Sequence, residues 1–453
     1  MTIMCPKNFA AVALCVVLAG VCYAQDTPAT KPADQPQTTT AAPTPAAEPA
    51  APAPLSTPAI TGPLQASPPI TLEAGPLGKL SLNGIVSGLG LFQSNAVPGN
   101  NGAEGALSNG QVWIQKTTGW WQFYAQAGAY QISSLGSPFI STETAMTDLY
   151  GPVPTAYLKL VPGKNTNIMI GILPTLVGAE YTFSFQNMNI ERGLLWNQEN
   201  AITRGVQINQ TMGKFTASFS WNDGYYSNRY SGLSGLLSYT NGPHSIAFVG
   251  AGYLGQTDWT SLATPIQNNG QIYNLIYTYT KNGWVLQPYI QFNVVPTNPA
   301  IGVPQGAQAW GGAILASKTL KKGWSMAGRF EYISSNGSVA SNSVNLMYGP
   351  GSGAWSITAT PTYQYQKFFT RGDISFVRAT SFEPGLAFGS LGTLGTQTRG
   401  VVEIGFLFWR TSMSSSLLIF FTLMTGFILG WFLHGYLMRR KSRAQQGELV
   451  YLR

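Results

Sequence analysis

The eleven residues Trp355–Tyr365 constrain the chain more than any other stretch. In an extended backbone Trp355, Ile357, Ala359, Pro361, Tyr363 and Tyr365 fall on one face. Ser356, Thr358, Thr360, Thr362 and Gln364 fall on the other. Trp284–Asn293 repeats the pattern, with Leu286, Ile290 and Phe292 opposite Gln287, Tyr289, Gln291 and Asn293. In Trp324–Tyr332, Met326, Phe330 and Tyr332 alternate with Arg329 and Glu331. A strand with an apolar face and an opposite polar, sometimes charged, face suits the wall of a barrel in lipid. There every backbone group must find its partner in a closed sheet. Composition supports this over a secreted β-sandwich or solenoid. Only 9% of residues are charged, against about 25% in soluble domains, and aromatics make up 12%.

Short turns recur at Thr117-Thr118-Gly119, Pro162-Gly163-Lys164, Met212-Gly213-Lys214, Asn241-Gly242-Pro243, Lys281-Asn282-Gly283, Lys321-Lys322-Gly323 and Gln366-Lys367. Gly and Asn supply the positive φ that tight hairpins need. Seven such turns join fourteen strands, and Lys79–Phe92 with Arg399–Trp409 bring the count to about sixteen. The expected fold is all-β: a transmembrane antiparallel up-and-down barrel with short periplasmic turns, long extracellular loops and a lumen wide enough for water. Trp120, Trp284 and Trp324 follow short turns and predict one aromatic girdle.

The ends read differently. Residues 1–24 form a secretory signal cut after Ala24. Cys5, Cys15 and Cys22 lie within it, so the mature chain has no thiol. Val21 before Cys22 disfavours lipidation. Residues 25–78 form a Pro/Ala-rich periplasmic linker, with twelve prolines from Pro28 to Pro69. The barrel is assigned to residues 79–409. Residues 410–453 carry an apolar run, Leu417–Met438, long enough for a transmembrane helix. Arg439-Arg440-Lys441-Ser442-Arg443 follows it, which predicts a cytoplasmic end and an inner-membrane association. Either a small membrane protein is fused or read through after the barrel, or the helix lies against the barrel as a true hybrid. Removing Lys7, Arg439, Arg440, Lys441, Arg443 and Arg453, with Glu448, leaves nineteen basic against sixteen acidic residues. Nucleic-acid binding has little support.

Catalysis has little support either. The two histidines, His244 and His434, lie at a turn and in the tail, and no Cys/His/Asp group has metal spacing. No cofactor is expected. The distinctive stretch is the roughly 28-residue irregular segment between the strands ending near Pro174 and beginning near Arg204, long enough to suggest function. It is the third and longest of eight long loops and is expected to fold inward as a pore restrictor. Glu180, Glu191, Arg192, Glu199 and Arg204 in or beside it, with Arg329, Glu331, Arg371 and Asp373 on wall strands, are the constriction candidates. Opposed charges there would set the field that selects ions.

Gly171-Ile172-Leu173-Pro174-Thr175-Leu176-Val177-Gly178, Arg204-Gly205-Val206-Gln207, Tyr348-Gly349-Pro350-Gly351-Ser352-Gly353-Ala354-Trp355, Pro361-Thr362-Tyr363 and Phe368-Phe369-Thr370-Arg371-Gly372 occur in this order. Over roughly Leu80 to Phe408 the chain resembles the OmpL-like β-barrel porin family. The resemblance implies an outer-membrane pore of a Gram-negative bacterium for passive diffusion of small hydrophilic solutes or ions. The helical tail departs from the family pattern. Expected partners are outer-membrane lipid, the barrel-assembly machinery, small solutes and further copies in a homo-oligomer. The competing reading is a structural or adhesive outer-membrane barrel without an open pore.

Overall fold

The structure is a computed structural model that describes residues 63–65, 69–254 and 270–408. The expected signal, most of the expected linker and the expected tail helix fall outside the described residues. Seventeen strands form one antiparallel sheet, sixteen of them as a closed ring. In chain order they are β1 (Ile70–Glu73), β2 (Lys79–Gln93), β3 (Ala103–Lys116), β4 (Trp121–Tyr130), β5 (Thr155–Gly163) and β6 (Thr166–Pro174). Then come β7 (Ile202–Met212), β8 (Phe215–Asn222), β9 (Gly232–Asn241), β10 (His244–Tyr253), β11 (Gln271–Lys281) and β12 (Trp284–Val295). The last five are β13 (Ala307–Thr319), β14 (Trp324–Ser335), β15 (Gly353–Tyr365), β16 (Phe368–Thr380) and β17 (Thr396–Phe408). β17 pairs with β2 from Arg399 opposite Gln93 to Phe408 opposite Gly84, which closes the barrel.

The expected strand count and all seven short turns are present. Their physical basis is the two-residue period. On β15, Ser356, Thr358, Thr360 and Thr362 are buried toward the lumen, while Ile357 is exposed outward. The outer face carries two aromatic rows. Trp284 and Trp324 mark the periplasmic row; Phe292 and Tyr332, each eight residues farther along, mark the extracellular one. Eight residues at ~3.4 Å each, tilted by roughly 40°, span about 20 Å. That is close to the height of the apolar band of an outer-membrane barrel.

Part of the Pro-rich stretch joins the barrel. β1 pairs with the first residues of β2, Ile70 opposite Leu82 through Glu73 opposite Lys79. These β2 residues extend past the last pair with β17, so β1 covers an edge that would otherwise be open. Just upstream, Leu64 is buried in the same packed cluster as Ile85, Phe369 and Leu407 of the inner wall. The Gln65 backbone N–H donates to Gln364 Oε1 (2.7 Å) and Gln364 Nε2 donates back to the Gln65 carbonyl (3.2 Å).

Candidate pore constriction

Loop 3, residues 175–201, leaves the wall where Pro174 ends β6, since proline has no N–H to continue a ladder. From Thr175 to Asn200 every residue except Asn197 is buried. The loop therefore folds inward, as its length predicts. It is rooted between β6 and β7, and the wall eight strands on, around β14 and β15, faces that root. Loop 3 crosses the lumen to reach it. Asn189 Nδ2 donates to Thr360 Oγ1 on β15 at 2.7 Å. On the way the loop touches β3 through Asn109 and Ser184, and β11 through Asn274 and the Gly178 N–H.

Two kinds of contact hold it. Phe183 and Phe185 form an apolar anchor on the β3–β4 side. Phe185 stacks on Trp113 at 5.6 Å and Phe183 meets Tyr130 edge-on at 5.1 Å. Such aromatic pairs contribute about 0.5–1.5 kcal/mol each beyond the area they bury. On the far side the contacts are charged. An irregular segment at membrane depth has no ladder to satisfy its backbone, so side chains must do it. Asp373 Oδ2 accepts from the N–H groups of Ile190 (2.9 Å) and Glu191 (3.2 Å). Glu331 accepts from Leu194 (2.9 Å) and Leu195 (3.4 Å), and Glu180 from Gly193 (2.7 Å). Arg371 donates to the carbonyls of Ser184, Asn187 and Met188 at 2.9, 2.9 and 3.1 Å. The wall charges thus act as hydrogen-bond partners for the loop's main chain.

The same side chains pair with one another. Arg329 Nη1 lies 2.6 Å from Glu180 Oε1, and its Nε lies 3.2 Å from Glu331 Oε2. Arg399 Nη1 lies 2.9 Å from Glu191 Oε1, and Arg371 Nη1 lies 3.4 Å from Glu403 Oε2. Glu403 Oε1 also accepts from Ser108 and Ser184, at 2.8 Å each. Glycine is required within this packing. A Cβ on Gly193 would run into the Glu331 carboxylate, and one on Gly178 into that of Glu199.

Of the nine sequence candidates, Glu180, Glu191, Arg192, Glu199, Arg329, Glu331, Arg371 and Asp373 come together around loop 3. All eight are buried, and the ion pairs face one another instead of open water. Arg192 sits 5.2 Å from the Trp196 ring centroid, and its Nε and Nη2 have no partner. Glu199 faces Gly178 and the Tyr289 hydroxyl, at 3.4 Å, with no arginine paired to it in this cluster. Burial, reinforced by the Glu180 charge, pushes its carboxyl well above the ordinary range.

Arg204 is the exception. On β7 it shares a face with exposed Val206 and Ile208, while Gln207 points inward and is buried. Arg204 Nε donates to Asp223 Oδ2 at 2.7 Å, and its guanidinium covers Tyr226 at 3.9 Å. It braces loop 4 (residues 223–231) at the rim and does not face the lumen. Two residues of the cluster, Arg399 and Glu403, were not among the candidates. A signal was there: the inner faces of β14, β16 and β17 each carry an Arg followed by an acid at even spacing (329/331, 371/373, 399/403).

The outer-membrane channel DcaP of Acinetobacter baumannii has a similar fold, with TM-score 0.51 and 9% identity, covering 76% of this chain and 100% of that one. Outer-membrane-expressed OmpT of Vibrio cholerae aligns over 75% of this chain and 100% of its own, at 8% identity and TM-score 0.49. Salmonella typhi OmpF aligns over 73% and 98%, at 13% identity and TM-score 0.48. No curated protein matches the chain. Residues 399–452 match the model of the "Lipopolysaccharide assembly protein A domain". Its first ten residues overlap strand β17. The model described as "Putative beta-barrel porin-2, OmpL-like" matches residues 79–408, the whole closed barrel from β2 to β17, and the chain belongs to that family of outer-membrane porins.

Proposed function

We propose that loop 3 is the element that sets passage through this porin. Small hydrophilic solutes diffuse passively past it, with no cofactor and no chemical step. The proposed constriction comprises Glu180, Glu191, Arg192, Glu199, Arg329, Glu331, Arg371 and Asp373, joined by Arg399 and Glu403. One observation carries this reading: loop 3 crosses the lumen and docks on the opposite wall through buried pairs, Arg329–Glu180 and Arg399–Glu191. The charges hold the loop at a set height and leave the rest of the cross-section to solute. Export through a signal cut after Ala24 and assembly into a homo-oligomer belong to the same proposal.

Single-channel recording in planar bilayers tests it. Glu191→Gln weakens the grip of Arg399 on the loop and is expected to give larger, noisier conductance than wild type. A folded Glu191→Gln barrel with unchanged conductance and ion selectivity would remove loop 3 from the constriction.

A further inference from the structure

The charges outside the lumen are sorted by kind and by end. The short turns carry Lys164, Lys214, Lys281, Lys321, Lys322 and Lys367 and no Asp, Glu or Arg. Near them, Glu73 of β1 is taken by Lys79 at 3.2 Å. Glu143 and Asp148 of the loop after β4, Asp223 of loop 4 and Glu383 of the loop after β16 belong to the opposite rim. Turns whose charges are all lysine present ammonium groups to whatever anion lies at their level.

The lysines are densest on the hairpins β11–β12 and β13–β14. Lys281 pairs in register with Trp284 of β12, and Trp284 with Lys318 of β13. Residues opposite one another in a ladder share a face, so two lysines flank one indole on the outside of the barrel. Trp284 is exposed there, while Ser317 beside Lys318 is buried toward the lumen. Lys318 Nζ lies 5.0 Å from the Trp284 ring centroid and donates to the Asn282 carbonyl at 2.8 Å. Those two contacts hold the ammonium at the level of the turn and leave further N–H groups for a ligand. The β13–β14 turn adds Lys321 and Lys322, both exposed, and exposed Trp324 follows. β11, β12 and β13 contain no Asp or Glu, and Glu331 of β14 faces the lumen. The packed strands therefore offer this corner no carboxylate.

We infer that Lys281, Lys318, Lys321 and Lys322, with Trp284, form a binding site for the headgroup of an anionic phospholipid in the periplasmic leaflet. The depth of the site argues for lipid. Trp284 and Trp324 mark the periplasmic aromatic row, and such rings sit at headgroup level. Lysines clustered at that level attract anionic headgroups. Exposed Leu286, Ile314 and Met326 continue the same outer face toward the bilayer centre and suit the acyl chains. The inference needs the barrel in its membrane and is independent of what passes loop 3.

Native mass spectrometry of the full-length protein, in mixed micelles of phosphatidylglycerol and phosphatidylcholine, tests it. Wild type is expected to retain phosphatidylglycerol over phosphatidylcholine. Lys281→Gln with Lys318→Gln is expected to weaken that retention about 30-fold, about fivefold for each lysine. Lys164→Gln with Lys214→Gln, on the β5–β6 and β7–β8 turns, is expected to leave it at the wild-type level. Both double variants are compared as folded barrels, shown by heat-modifiable gel mobility. Equal retention of the two lipids by wild type, or equal losses in the two double variants, overturns the site. Inorganic phosphate is expected not to displace the lipid; displacement at equal concentration assigns the corner to free phosphate and overturns the lipid reading.

Discussion

Two neighbouring sides of the inner wall, β14–β17 and β9–β13, solve one problem by different chemistry. On β14–β17 the wall meets an irregular loop whose amides and carbonyls have no ladder, and arginines and carboxylates serve them. On β9–β13 the inner face carries no charge. Leu236, Val249, Ile272 and Ile276 pack in one cluster with Leu176, Val177 and Leu195 of the loop. Asn274 accepts from the Gly178 N–H and Gln291 donates to the Leu195 carbonyl, at 3.0 Å each. Gln287 Nε2 donates to Thr278 Oγ1 at 3.2 Å within the wall. The charged side thus holds the loop by ion pairs and charged hydrogen bonds, the neutral side by apolar packing and amides. Breaking a buried ion pair by removing one partner leaves the other charge unpaired and costs far more than removing one neutral hydrogen bond. The two sides should therefore respond very differently to substitution.

The largest effect is expected for Arg329→Ala. It strands Glu180 and Glu331 and removes the donor to the Glu191 carbonyl at 2.8 Å. A loss of about 3–5 kcal/mol follows from an orphaned buried pair. Urea unfolding in bilayers should show it, and loop 3 should become cleavable by added protease. Gly193→Ala comes next, because the new methyl group displaces the Glu331 carboxylate from the Leu194 and Leu195 amides. About 1–3 kcal/mol is expected from such overpacking, read by the same unfolding series.

Acidity should move the charged side alone. The cluster holds six acids, Glu180, Glu191, Glu199, Glu331, Asp373 and Glu403, against four arginines, Arg192, Arg329, Arg371 and Arg399. An excess of two negative charges in so dry a place favours bound protons, and Glu199, raised by burial, is the natural holder. A carboxyl whose folded value is raised binds more protons folded than unfolded. Its stabilisation is complete at low pH and fades as pH rises through the raised value. Loop 3 should therefore be held tighter in acid and loosen toward alkaline pH, measurable as conductance noise. Glu199→Gln should flatten that dependence; a wild-type trace indifferent to pH would discard Glu199 as the proton holder. The smallest effect is expected on the neutral side. Thr278→Val combined with Gln287→Leu removes both partners of one bond and should change stability by less than about 1 kcal/mol. A large loss there would erase the distinction between the two sides.

The barrel was legible because its code is local. Each strand declares its two faces by alternation, and each hairpin its turn residues, so sixteen strands could be counted without knowing any pairing partner. The same parity could have placed Arg204 outside, since Val206 and Ile208 share its face while Gln207 and Asn209 take the other. Loop 3 was legible only as an anomaly of length. Nothing in Glu180 or Glu191 says which of several arginines each meets, because that depends on a fold across the barrel's diameter. Arg399 and Glu403 are hidden for a related reason: they lie on the last strand, and only the closed ring and the inward fold of loop 3 bring them to Glu191 and Ser184. Leu64 escaped because the prolines around it outweigh one leucine in any reading by composition.

That leucine has a consequence for handling the molecule. The span shared with the porin family begins at Lys79, which invites trimming the chain there. Yet Leu64 sits among Ile85, Phe369 and Leu407, and β1 lines the bare edge of β2. A barrel cut at Lys79 loses both the wedge at its floor and the selvedge at its seam. A reporter or affinity tag joined directly to Pro63 would start beside the periplasmic end of the inner wall, where its bulk is expected to narrow the opening.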